Sequence, residues 1–318
     1  MIFQAKPASA RVPLQRRNAW RKEMKNNYDL YLFVLPAIIS ILLFNYLPMY
    51  GVQIAFKNFR PVAGIWGSEW VGFKWFTRFF NSAQFGSLIT NTLVLNFYLL
   101  ACTFPLPIML ALLFNQFRNP SIRKTLQTVS YAPHFISTVV MVGMLLLFLS
   151  PTRGLYGNLA RAFGMTPGNP MGDAGLFKSI YVWSDVWQHT GWDSIIYIAA
   201  LSSIDPQLYD AATVDGATRF QKIRHVEIPA LLATASILLI MRVGNLMSVG
   251  FEKVYLMQNS LNISSSEVIS TYVYKMGLTK TAQYSYSAAV GLFNTIVNLV
   301  LLTVCNTVTK KLSGNSLW

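Results

Sequence analysis

The chain has 318 residues, 53% of them hydrophobic and 12% charged, with a formal net charge of +14 and a positive mean hydropathy. An average soluble domain carries about 25% charged residues, so half that share cannot cover a water-facing surface of this size, and lipid is the expected solvent. The basic excess is scattered as short flanks between apolar blocks, the pattern of the positive-inside rule, rather than gathered in one aromatic-interleaved patch, which argues against nucleic acid as a partner.

Residues 1–29 are polar and basic and read as a cytoplasmic tail, with no short apolar core and cleavage site of a signal peptide. A membrane helix needs roughly 20 apolar residues. Residues 30–56, 79–117 (apolar centre 88–114) and 281–309 contain no charge, and 125–152 contains only His134 among groups that titrate near neutrality. Two further spans are less apolar: 179–204 holds Asp185, His189 and Asp193, and 230–251 holds Arg242. Six transmembrane helices are therefore expected in a membrane domain over 30–309, followed by a short tail at 310–318. Lys and Arg are more numerous in the segments on the N-terminal side of the membrane, which places both termini inside, in the cytoplasm. Pro36, Pro48, Pro105 and Pro107 are expected to kink helices, which lipid tolerates where neighbours satisfy the freed carbonyls.

Outside the spans, Trp66, Trp70 and Trp75 punctuate the first outer loop, as an interfacial aromatic belt or as a docking surface for an outside partner. The Asn262-Ile263-Ser264 sequon is short and carries little weight. Cys102 and Cys305 lie inside apolar blocks and suggest neither a disulfide nor a metal site.

The most informative stretch, 205–229, joins the fourth and fifth spans. Asp205 is a good N-cap and Pro206 suits the first helical position. Ala211 and Ala212 give a smooth helix face, and Gly216 can end the helix at positive φ. A second short helix is expected over 217–228, with Pro229 marking entry into the membrane. A structured connection of this length is usually functional.

The order Asp210-Ala211-Ala212, then Gly216, then Ile228-Pro229, resembles the EAA loop of ABC importer permeases, with Asp for Glu and Ile for Leu. Asn91-Thr92-Leu93, Gly250-Phe251-Glu252 and Gln283-Tyr284-Ser285-Tyr286 extend the resemblance to carbohydrate-uptake permeases. Pro133-His134-Phe135-Ile136-Ser137 and Ser316-Leu317-Trp318 are similar to those of permeases for complex polysaccharides such as alginate and pectin fragments.

This resemblance implies an all-α type I importer permease in the bacterial cytoplasmic (inner) membrane. It would pair with a second homologous permease, receive sugar from an extracytoplasmic solute-binding protein, and be driven by a cytoplasmic ATPase dimer. The loop would supply a coupling helix, with Asp210, Ala211, Ala212, Asp215, Gly216, Ala217, Arg219 and Pro229 at the ATPase contact. No Gly-x-x-x-x-Gly-Lys-Ser/Thr phosphate loop occurs, and Gly277-Leu278-Thr279-Lys280-Thr281 only echoes one. ATP and Mg would be used by the partner ATPase, with no cofactor bound and no catalysis performed by this chain.

Charged groups at mid-membrane depth cost roughly 2.5 to 3.5 kcal/mol each on the insertion scale. Counted from the inner ends of their spans, Asp193 and Arg242 share a level, so they are expected to pair or to line a wet cavity. Asn245, Asn294 and Asn298 sit at similar depths as interhelical glue or sugar ligands. Trp183 and Trp187 are candidates to stack on sugar rings. Asp185, His189 and Asp193, spaced i, i+4, read as a polar, water-facing stripe rather than a metal site. An ion-coupled secondary transporter or channel is the competing reading, but it leaves the loop without work.

Overall fold

The computed structural model describes residues 26–279 and 282–313. The basic tail through Lys25, the Lys280-Thr281 step that begins the sixth expected span, and the terminal Ser316-Leu317-Trp318 lie outside those residues. The chain divides into two units, one ending at Gln53 and one starting at Ile54.

In the first unit α1 (Tyr28–Ile41) contains Pro36 and runs on through a π turn at Leu42–Tyr46. Pro48 falls in the first turn of the next short helix, where its missing N–H costs nothing. The 29-residue path Tyr28–Phe56 is long and apolar enough to span a membrane.

The second unit opens with an exception to the all-α expectation. β1 (Lys57–Arg60) pairs antiparallel with β2 (Ser68–Trp70), Lys57 opposite Trp70. Trp75 Nε1 donates to the Lys57 carbonyl at 3.0 Å, and the Phe56 and Trp70 rings stack at 5.7 Å. Two of the three tryptophans of the first outer loop thus brace a folded hairpin, while Trp66 is 83% exposed.

After α2 (Lys74–Phe80), α3 (Phe85–Thr103) and α4 (Pro105–Asn115) make one span of 31 residues. Pro105 and Pro107 fall in the first turn of α4.

The third expected span, 125–152, is two helices. α5 (Pro120–Tyr131) and α6 (Thr138–Phe148) are bent by 94° at the break. Pro133 has no N–H to continue the ladder, the chain tightens to a 3₁₀ turn at Ala132–Phe135, and Ser137 starts α6 by accepting the Val140 N–H. Gln188 Nε2 donates to the Ile136 carbonyl at 2.7 Å, so the exposed backbone is satisfied from the neighbouring helix.

α7 (Leu155–Ala162) leads to α8 (Ala174–Ser202), which Asp173 caps through a 2.7 Å bond from the Gly175 N–H. At 29 residues α8 extends about 43 Å, enough for the fourth span despite its charges. It packs on α3, α4 and α5. Gly191 makes that contact possible, because a Cβ there would sit 2.0 Å from the Ser130 carbonyl oxygen of α5.

The chain then forms α9 (Pro206–Val214), α10 (Arg219–Lys222) and α11 (Ile228–Gly244). α10 and α11 are joined by a π turn at Ile223–Glu227 into one 26-residue run. This corrects one expectation: residues 217–228 are not a separate short helix but run into the fifth span, with Pro229 in the first turn after the π turn, where it does not interrupt the run. The fifth span also ends at Gly244 rather than 251, so Asn245 follows the helix instead of lying inside it.

α12 (Phe251–Met257), α13 (Ile269–Tyr274) and α14 (Tyr284–Ser313) complete the unit, with α14 packed along α11. Among the described residues four runs are long and apolar enough to cross a membrane, and the bent pair α5–α6 makes five. With α8 this is the six-span permease architecture. Its core lies around α8, where Leu95, Val142, Phe177, Tyr181, Val182 and Val254 cluster, and Ala111, Tyr197, Leu201 and Leu231 cluster toward the end of α8.

Two polar residues that follow the fifth expected span are buried. Asn262 is fully buried and donates to the Met171 and Met257 carbonyls at 2.9 and 3.0 Å, so this asparagine belongs to the core. Lys253, two residues beyond the expected fifth span, is 6% exposed and contacts Asp185.

Candidate functional site

The 205–229 loop is ordered by its own local chemistry. Asp205 Oδ1 accepts the Gln207 N–H at 2.9 Å, and Pro206 occupies the first turn of α9. The other end closes as a Schellman turn: the Ala217 N–H reaches the Ala212 carbonyl at 2.9 Å and the Gly216 N–H the Thr213 carbonyl at 3.1 Å, with Gly216 at φ +73°. Thr218 and Gln221 then form a capping box that starts α10. Lys222 Nζ donates to Thr213 Oγ1 at 2.7 Å and braces α10 against α9. The result is a rigid helical elbow with Asp210, Ala211, Asp215, Gly216, Arg219 and Pro229 exposed and Ala212 and Ala217 half-buried. Leu208, Val214 and Phe220 add exposed apolar surface.

The elbow is anchored by a residue that sequence reading passes over. Glu227 is 2% exposed, and among the described residues no ion pair includes it. Its carboxylate accepts from Asn115 Nδ2 at 2.8 Å, from Gln116 Nε2 at 3.1 and 3.2 Å, and from the Tyr209 hydroxyl at 3.4 Å. Burial, and then the Glu227 charge, push the Tyr209 phenol up, which keeps its proton available for donation. The available signal was a lone carboxylate directly before an apolar helix entry.

In the membrane, Arg242 Nη2 meets Asp193 Oδ2 at 2.5 Å, and Arg242 Nη1 donates to Thr103 Oγ1 at 2.8 Å. The shared depth expected for the two charges thus becomes a direct pair. Cavities of about 360 and 380 Å³ lie beside Arg242; the first also touches Asn96, Thr103 and Asn245, the second Trp192 and Asp193. The pair and the cavity wall are therefore the same structure rather than alternatives.

The i, i+4 stripe on α8 is divided. Asp185 bonds His189 at 3.5 Å and Lys253 at 3.2 Å, whereas Asp193 turns to Arg242. Opposite charges supplied by α11 and α12 pair with the stripe, while His189 and Asp193 stay partly exposed.

Asn298 accepts the Met247 N–H at 2.8 Å and donates to Ser248 Oγ at 2.8 Å, pinning the chain beyond α11 to α14. Asn294 lines a different cavity, beside Ser270 and Tyr274. Asn245 donates to the Met241 carbonyl. Trp183 bonds the Tyr98 hydroxyl at 3.0 Å, and neither it nor Trp187 borders the cavities beside Arg242. Trp192, not singled out from sequence, does; its ring stacks on His134 at 4.4 Å.

The family described as "Binding-protein-dependent transport system inner membrane component" matches residues 103–313, which contain the elbow, Asp193 and Arg242. Protein LplB of Bacillus subtilis is 41% identical over 94% of each chain. The polygalacturonan/rhamnogalacturonan transport system permease protein YteP of the same organism is also 41% identical, over 96% of this chain and 94% of its own. A crystal structure of a bacterial ABC transporter involved in the import of the acidic polysaccharide alginate contains a chain that superposes with a TM-score of 0.85 at 39% identity, over 93% of this chain and 99% of that one. A crystal structure of a bacterial alginate ABC transporter in complex with an alginate pentasaccharide-bound periplasmic protein also contains a chain that matches, with a TM-score of 0.85 at 38% identity, over 93% of this chain and 99% of that one. A helical elbow held between two spans, on a chain matched along most of its length, places this protein in the family of binding-protein-dependent transport system inner membrane components, the permeases of ABC importers.

Proposed function

We propose that the chain conducts an acidic oligosaccharide or polysaccharide, as one of two homologous permeases that form the translocation pathway. A cytoplasmic ATPase dimer supplies the force, using ATP and Mg, and an extracytoplasmic solute-binding protein supplies the sugar. The relatives named for polygalacturonan/rhamnogalacturonan and for alginate support the acidic class.

The observation that carries this reading is the elbow. Every end of α9 and the start of α10 is capped from within the loop, so a push on the exposed Asp210–Ala217 surface is transmitted rather than absorbed. Asp210, Ala211, Ala212, Asp215, Gly216, Ala217, Arg219 and Pro229 form the ATPase-coupling surface, and the small side chains of Ala211 and Ala212 let a partner backbone approach closely. In this arrangement both termini and the 205–229 elbow are cytoplasmic, the membrane domain covers 30–309, and tails at 1–29 and 310–318 flank it.

The substrate pathway runs past Asp193, Arg242 and Asn245, with Trp192 as a face on which a pyranose ring can stack. Asn294 and Asn298 extend the polar lining along α14, and Trp183 and Trp187 sit on the exposed side of α8. Nucleotide chemistry resides in the partner ATPase, and this chain binds no cofactor of its own.

The test is reconstitution of the chain with its partner permease, ATPase and binding protein in lipid vesicles. Uptake of oligogalacturonate or alginate fragments is expected only with ATP and the ATPase present, with a cysteine at position 212 crosslinking to the ATPase. Capture of no ATPase in any nucleotide state overturns the reading.

A further inference from the structure

The buried Glu227 is not part of the coupling surface just described, and a buried carboxylate that pairs with no cation among the described residues needs a reason. An ionised group removed from water is costly unless its lone pairs are filled. Here they are filled by neutral donors from two separate elements. Asn115 and Gln116 come from the end of α4, at 2.8 Å and 3.1–3.2 Å, and Tyr209 from α9, at 3.4 Å; Asn115 Nδ2 also reaches the Tyr209 hydroxyl at 3.4 Å. Glu227 itself ends the π turn that leads into α11. Three elements therefore meet on one carboxylate: the end of the second span, the start of the fifth, and the helix proposed to touch the ATPase.

We propose that Glu227 is a positioning residue that locks α9 to α4 and α11, so that displacement of the coupling helix moves two membrane spans together. The inference rests on the coupling reading of the 205–229 elbow. Its physical basis is directional. The caps of α9 are internal to the loop and make the helix rigid, but they do not attach it to the membrane domain. Lys222–Thr213 ties α9 only to α10. The Glu227 network joins α9 to a different span. The π turn favours this placement, since its one extra residue rotates the Glu227 side chain relative to a regular helix.

The test compares Glu227→Ala, Glu227→Gln and Tyr209→Phe in the assembled importer, measuring saccharide taken up per ATP hydrolysed. A hydrogen bond to a charged group is worth on the order of tenfold in an equilibrium constant. Glu227→Ala is expected to lower uptake per ATP by about tenfold or more while ATP hydrolysis continues. Tyr209→Phe, which removes one hydroxyl tie and leaves the buried carboxylate in place, should lower the same ratio less. Glu227→Gln, which keeps the shape and an acceptor oxygen, should recover much of the loss. A merely structural role would reduce the amount of complex without changing the ratio.

Wild-type uptake per ATP in Glu227→Ala overturns the inference. If Glu227→Ala does not assemble, Tyr209→Phe decides, and an unchanged ratio there overturns it. The coupling reading is checked separately by crosslinking from position 212 in an otherwise wild-type chain. Capture of the ATPase together with normal uptake per ATP in the Glu227 variants removes this inference alone; failure of capture removes both.

Discussion

Arg242 Nη2 and Asp193 Oδ2 stand 2.5 Å apart, joining α11 to α8 across 49 positions of sequence, and the same guanidinium spends a second N–H on Thr103 of α3. Three spans are thus held at one depth by a single arginine. Removing one partner of a buried pair costs roughly 3–5 kcal/mol and of an exposed pair at most about 1 kcal/mol; with side chains 36% and 26% exposed, this pair falls between the two. Arg242→Ala should therefore reduce the amount of assembled permease in membranes, read by detergent extraction and gel filtration. The double exchange Asp193→Arg with Arg242→Asp should restore assembly only in part, because the carboxylate at 242 would no longer donate to Thr103. Full loss in the double variant would argue that the pair is not what holds these spans.

Gly216 tests the elbow. Its φ of +73° is open to glycine but strained for a branched side chain. Gly216→Val should cost about 1–3 kcal/mol of local strain and open the Schellman turn, so ATP-driven uptake falls while the membrane spans still assemble. Gly216→Asn, which tolerates this region, should be milder. Equal uptake by the two variants would mean that the turn geometry does not matter.

The N-terminal end of the same helix offers a graded comparison. Asp205→Ala removes the acceptor for the Gln207 N–H and should destabilise α9 by about 1 kcal/mol, whereas Asp205→Asn keeps an oxygen there and should change little. Protease accessibility of the loop in inside-out vesicles reads this directly: Asp205→Ala is expected to be cut faster than wild type and Asp205→Asn at the wild-type rate.

Gly191 governs the close approach of α8 and α5. A Cβ there would fall 2.0 Å from the Ser130 carbonyl oxygen, and backbone cannot step aside as a side chain can. Gly191→Ala should destabilise by about 1–3 kcal/mol as the helices separate. A thermal unfolding midpoint in detergent unchanged from wild type would show that the helices part freely.

Several features were legible in the order of residues because they depend on neighbours along the chain. The uncharged blocks announced spans, since lipid excludes charge wherever it falls. The elbow from Asp205 to Gly216 was legible because caps, Pro at a helix start and Gly at a helix end act within a few positions. The common level of Asp193 and Arg242 followed from helix rise alone.

What the tertiary structure decided is which groups across the membrane answer one another. Whether Asp185 faced water depended on Lys253, which folds inward from what reads as an outer loop. Asn262 carried little weight in sequence, and its burial came only with the Met171 and Met257 carbonyls that take its amide. Glu227 is ordinary as a letter in sequence and becomes a junction only because Asn115 and Gln116 end their span beside it. Chain-local chemistry, set by dihedral preferences and solvent, is written in sequence; the partners of buried polar groups arise only when distant spans pack, because in lipid each such group must find its match inside the protein.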